Sequence, residues 1–112
     1  MSAYTHEVDA ALKALAEPRR REILRLVWTR ELPATDIADR FAEVTRPAIS
    51  QHLAVLKTAG LVTERRDGTR RLYRADRSEM KKLRQFLDEY WTSGLERLRD
   101  VAEAAQQDKE KR

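Results

Sequence analysis

The apolar residues of this chain change their spacing at Gly60, and few folds accommodate such a change within forty residues. In ATDIADRF (34–41) and TRPAISQHLAVLKTAG (45–60) they recur every three or four positions, the period of one buried helix face. In LVTERR and TRRLYRA, which flank Asp67-Gly68, strand-forming residues such as Val62, Thr63 and Tyr73 dominate and the period drops to two. Two short helices followed by a hairpin is the expected outcome. A helix-turn-helix thus spans about 34–59 and a wing about 61–75, in a chain that is otherwise mostly α.

The boundaries have their own signals. Thr35 is expected to cap the first helix of the pair, with Ile37, Ala38 and Phe41 on its inner side. Thr45 is expected to cap the second, where Pro47 fits the first turn because no amide hydrogen is needed there. Ile49, Leu53 and Leu56 form its apolar stripe, and Gly60 ends it. Asp67-Gly68 is read as the two-residue turn of the hairpin.

What remains on the outside of the second helix is informative. Arg46, Pro47, Ser50, Gln51, Ala54 and Lys57 are short or hydrogen-bonding residues, suited to a helix lying deep in a DNA major groove. Between Arg46 and Arg77 eight Arg or Lys face three Asp or Glu, a surplus of five, whereas the whole chain carries only +4. The positive charge is concentrated on this segment, as phosphate contacts require.

Other classes are disfavoured. Cysteine is absent, which removes disulfides, thiolate metal sites and thiol chemistry together. No nucleophile–base pair, glycine-rich phosphate loop or metal cluster is legible, so an enzyme is not expected. His6 stands near the terminus and His52 has no ligand partners close by, so no cofactor or metal is expected. The opening MSAYTHEVDAALKAL lacks the apolar run of a signal peptide, and no stretch could span a bilayer, so a cytoplasmic protein is expected.

The 112 residues suit one domain with one core. Val8, Ala11, Leu12 and Leu15 give a first helix at about 6–15, ended by Glu17-Pro18, and a second follows with Ile23, Leu24, Leu26 and Val27 inside. Leu32-Pro33 is read as a connection. The last helix is expected over about 78–105 with Ser78 as its cap, and Met80, Leu83, Leu87, Tyr90, Trp91, Leu95, Leu98, Val101, Ala102 and Ala105 lie along one side. That stripe is too long for a small body to cover. A second copy of the chain is therefore expected on Val8, Leu12, Leu83, Leu87, Tyr90, Trp91, Leu95 and Leu98.

With these segments in hand the chain resembles the ArsR/SmtB family of bacterial winged-helix repressors over nearly its whole length. ALAEPRRREILRLV is similar to the family's helix-opening signature, TRPAISQHLAVLKTAGLV to its recognition helix and ERRDGTRRLYRAD to its wing. The resemblance implies a dimer through the first and last helices that binds a double-stranded, inverted-repeat operator, including that of its own promoter. It places Thr45, Arg46, Pro47, Ser50, Gln51, His52 and Lys57 of the recognition helix at or near DNA. Thr35 and the wing residues Arg65, Arg66, Gly68, Thr69, Arg70, Arg71 and Tyr73 join that set. The Cys-x-Cys ligands of metal-sensing relatives have no counterpart in Leu32-Pro33-Ala34-Thr35-Asp36, and the last helix has no histidine. FLDEYWTSGLERL resembles metal-independent members, so release from DNA would fall to an organic ligand, another protein or dimer dissociation. The competing reading is a winged-helix module that binds protein and reads no DNA sequence.

Overall fold

The computed structural model describes residues 3–110. Helices α1 (Ala3–Leu15) and α2 (Pro18–Leu26) precede a two-residue strand β1 (Leu32–Pro33), then α3 (Ala34–Asp39) and α4 (Arg46–Thr58). Strands β2 (Val62–Asp67) and β3 (Arg70–Ala75) form the hairpin, and α5 (Arg77–Glu110) closes the chain. The sheet is antiparallel in the order β1-β3-β2, with Leu32 opposite Tyr73 and Pro33 opposite Leu72. Leu32-Pro33 is thus an edge strand rather than a plain connection. Proline is tolerated there because an edge residue need not donate to a further neighbour.

One core gathers Val8, Ala11 and Ala14 of α1, Ile23 and Leu24 of α2, Ile37, and Ile49, Leu53 and Leu56 of α4, together with Leu61, Val62, Tyr73, Ala75 and Leu83. The three α4 residues are the stripe expected from the sequence, all buried. Val8 and Leu83, expected at a subunit contact, are instead buried within the chain, because α5 in its first turns packs back on the body.

The helix ends are chemically satisfied. Thr45 Oγ1 accepts from the Ala48 amide at 3.2 Å, capping α4 as expected. At the other end Gly60, at φ +80°, donates to the Lys57 carbonyl and Leu61 to that of Leu56, both at 2.9 Å, which is a Schellman closure. Two expected caps differ. Helix α3 starts two residues earlier than a Thr35 cap would place it, after Pro33, so Thr35 lies inside its first turn and caps nothing. Asp76, not Ser78, caps α5: its Oδ1 accepts from the Ser78 and Glu79 amides and the Ser78 hydroxyl, which holds its carboxyl below the usual aspartate range. A carboxylate with three donors in reach outcompetes a hydroxyl two positions on.

The arginines after Pro18 close α1. Arg20 donates to the Ala14 carbonyl at 2.6 Å and Arg21 to that of Leu15 at 2.7 Å, so the final carbonyls of one helix are met by the first turn of the next. In the hairpin Asp67 pairs with Arg70, which leaves Gly68-Thr69 as the two-residue turn, one position beyond the expected Asp67-Gly68. Gly68 at φ +64° takes the position of that turn where only glycine is unstrained.

Helix α5 is 34 residues long, about 51 Å at 1.5 Å per residue. It outruns the body. The molecule measures 74 × 33 × 23 Å and its radius of gyration is 20.0 Å, against about 13 Å for a compact chain of this size. Beyond Phe86 the stripe of α5 has nothing among the described residues to lie on, and Tyr90, Trp91, Leu98 and Val101 are 67–70% exposed.

Candidate nucleic-acid interface

The surface of α4 opposite its buried stripe carries Arg46, Pro47, Ser50, Gln51, Ala54 and Lys57, all exposed. No bulky acidic side chain stands among them. Ser50 and Gln51 are near the start of the helix, so their hydrogen-bonding groups project with its amino-terminal turns, the part of such a helix that reaches base edges. Arg46 keeps only a loose, exposed pair with Asp39 at 3.4 Å, a contact of little energetic weight that a phosphate could replace.

His52 does not share that face. It is half-buried, and its Nδ1 lies 3.5 Å from an Arg20 guanidinium nitrogen, so it faces α2. The Thr45 hydroxyl is occupied by its capping bond. Tyr73, expected among the DNA-facing wing residues, is 7% exposed and belongs to the core. The physical reason is register: Tyr73 alternates with Arg74 and shares the buried face with Ala75, while Arg74 is exposed.

The same alternation sorts the wing cations. Arg66 lies directly opposite Arg71 and Glu64 opposite Tyr73, on the face continuous with the core side of the sheet; Arg65, Asp67 and Arg70 point the other way. Arg65 is clamped by Glu31, accepting at 2.8 and 2.6 Å, which lowers the Glu31 carboxyl below its ordinary range. Arg70 pairs with Asp67 at 3.2 Å. Glu64 takes Lys57 at 2.7 Å and lies 3.6 Å from Arg71. The basic surplus read from the sequence is therefore partly neutralised by carboxylates, two of which, Glu31 and Asp39, lie outside the segment counted. No periodicity could have revealed those partners.

Thr35 is exposed and lines a groove of about 340 Å³ with Pro33, Ala34, Thr69, Arg70 and Arg71, between the start of α3 and the tip of the wing. The start of α3 and the tip of the wing thus share one groove, and the Lys57–Glu64 pair joins the end of α4 to the hairpin. Among the described residues no three His, Cys, Asp or Glu side chains converge on a point that could hold a metal ion. Nor is any described helix long and apolar enough to cross a membrane.

Comparison with known proteins agrees with this architecture. The family model for bacterial regulatory proteins of the arsR family matches residues 17–64. The HTH-type transcriptional regulator Rv2034 of Mycobacterium tuberculosis is 45% identical over 95 residues, covering 85% of this chain and 87% of that protein. The chain belongs to the arsR family of bacterial regulatory proteins. Its relatives are regulators of transcription rather than enzymes. Another member, the arsenical resistance operon repressor of Staphylococcus xylosus, is 34% identical over 73% of this chain and 78% of its own length. Among solved structures, a homodimeric winged helix-turn-helix DNA-binding domain from Mycobacterium bovis is 31% identical with a TM-score of 0.65, over 79% of this chain and 82% of that one.

Proposed function

We propose that this family member is a cytoplasmic, dimeric repressor that reads an inverted-repeat operator, its own promoter among the targets. The whole of residues 1–112 serves as one winged-helix unit. In each subunit α4 lies in the major groove, where Gln51 can pair with adenine through two hydrogen bonds and Arg46 reaches guanine or backbone. Ser50 and Pro47 allow the close approach. Thr45, Lys57 and Thr35 border the groove, His52 supports α4 from behind, and Arg66, Gly68, Thr69, Arg70 and Arg71 meet the flanking phosphates. Arg65 stays with Glu31 and holds the wing in place.

The observation that carries this reading is the Arg66–Arg71 pair. Two guanidiniums directly opposite each other on a two-stranded ribbon repel; Glu64, 3.6 Å from Arg71, offsets part of this, and a DNA phosphate beside Arg66 offsets the rest. An uncharged protein surface beside α4 would offer no such compensation.

The exposed half of α5 supplies the subunit contact, joined by Leu12, which is 38% exposed on α1. Leu87, Tyr90, Trp91, Leu95 and Leu98 are its main residues. The two-fold axis this creates matches an inverted repeat. Selection of a preferred sequence from a pool of random 30-base-pair duplexes tests the reading. The expected result is enrichment of a palindromic sequence, bound with an affinity that falls steeply with salt; binding without sequence preference would contradict it.

A further inference from the structure

Among the described residues Glu64 is the one carboxylate seen to touch both α4 and the wing. It sits on β2 with its side chain only 14% exposed; Oε2 accepts from Lys57 Nζ of α4 at 2.7 Å and Oε1 lies 3.6 Å from Arg71 Nε of β3. The hydrogen bond from Lys57, with Arg71 and Arg66 nearby, keeps this carboxyl below the ordinary glutamate range, so it is charged wherever the protein meets DNA. An acid beside phosphates should weaken binding. Its placement against two cations therefore calls for a reason.

We propose that Glu64 is a positioning residue for specificity: by holding Lys57 of the recognition helix and Arg71 of the wing in one ion-paired bridge, it limits their use on arbitrary phosphates and makes binding depend on base contacts. This rests on the DNA-reading function argued above. Affinity for unrelated DNA comes almost wholly from cations that displace counterions from phosphates. A lysine or arginine already paired within the protein releases fewer counterions, and a fixed carboxylate repels backbone that lies out of register. Base contacts from Gln51 and Arg46 lie at the opposite end of α4 and are untouched by the bridge. The bridge also joins the end of α4 to the hairpin, so helix and wing meet DNA as a single rigid surface.

The test uses the full chain, a duplex enriched by the wild type from a random 30-base-pair pool, and a scrambled duplex of the same length. Glu64→Gln keeps the size and a hydrogen-bonding group and removes the charge. Its affinity for the scrambled duplex should rise about threefold or more near 0.1 M salt, with a log–log salt slope steeper by about one. The enriched duplex should gain less, so the ratio of the two affinities falls severalfold. Asp108→Asn, which removes the same charge near the far end of α5, should leave the ratio unchanged. In a Lys57→Gln background, Glu64→Gln should have a smaller effect on the ratio, as a double-mutant cycle requires of coupled groups. An unchanged ratio in Glu64→Gln, an equal change in Asp108→Asn, or an effect independent of Lys57 would overturn the proposal. If the wild type enriches no sequence at all, the DNA-reading function itself fails, a distinct result.

Discussion

Helices α4 and α5 carry the same kind of apolar stripe, yet one is wholly covered by its own chain and the other mostly is not. In α4 the stripe of Ile49, Leu53 and Leu56 is buried, because α1, α2, α3 and the hairpin surround a helix of 13 residues. In α5 the cover ends after Phe86, and Leu87, Tyr90, Trp91, Leu95, Leu98 and Val101 stand 47–70% exposed. Amphipathic spacing states that a face will be covered. Whether the covering atoms belong to the same chain depends on helix length relative to the body it packs on. The difference also divides the labour: α4, fixed from within, can present a rigid outer face to DNA, while α5 can join two such faces.

The strongest challenge to this division is a cavity in the inner stripe. Leu53→Ala should destabilise folding by about 2–5 kcal/mol, seen as a lower urea midpoint. A loss well under that range would mean α4 is not anchored as described. Leu98→Glu should act on association instead, weakening the dimer by about 2 kcal/mol or more. Sedimentation should then report a folded species of 13.1 kDa, with the helical circular dichroism preserved; an unchanged dimer would place the subunit contact elsewhere.

On the outer face of α4, Gln51→Ala should cost about 1–3 kcal/mol on the enriched duplex and little on scrambled DNA. Arg66→Ala should weaken both duplexes and reduce the salt slope by about one, and Arg71→Ala, whose guanidinium is shared with Glu64, should reduce it by less. Equal losses on both duplexes for Gln51→Ala would show that it contacts backbone.

The two caps give the smallest effects and the sharpest contrast in pH. Thr45→Ala should cost about 1 kcal/mol at any pH, since a hydroxyl cap does not titrate in the accessible range. Asp76 behaves differently because its folded-state pKa is depressed. Its contribution is fully present above the unfolded aspartate value near 3.9 and is lost as pH falls through the lower folded value. Asp76→Ala should therefore cost about 0.5–2 kcal/mol at neutral pH and flatten this part of the acid limb in thermal melts. An acid limb identical to wild type would remove Asp76 as the titrating cap of α5.

Much of this was readable from residue order. The stripe of α4, its Thr45 cap, its Gly60 end and the change to strand at Val62 all depend on neighbours a few positions apart, and the structure agrees with each. The exact boundaries moved. The observed Pro33, Gly68-Thr69 and Asp76 stand one or two positions from the expected Thr35, Asp67-Gly68 and Ser78, and hydrogen-bond geometry set each. The pairing of Leu32-Pro33 with β3 left no local trace, because an edge strand of two residues has no period to detect.

The sequence by itself determined the order of helices and hairpin, the inner and outer faces of α4 and the concentration of basic residues behind it, since all three follow from short-range spacing and composition. Only the tertiary structure decided that Tyr73, Val8 and Leu83 turn inward, that Glu31 claims Arg65, and that Glu64 bridges Lys57 to Arg71. Those facts depend on strand register and on residues as far apart as Glu31 and Arg65. A carboxylate lowers the free energy of whichever cation the fold brings within reach, and reach is a property of three-dimensional packing that no local pattern encodes.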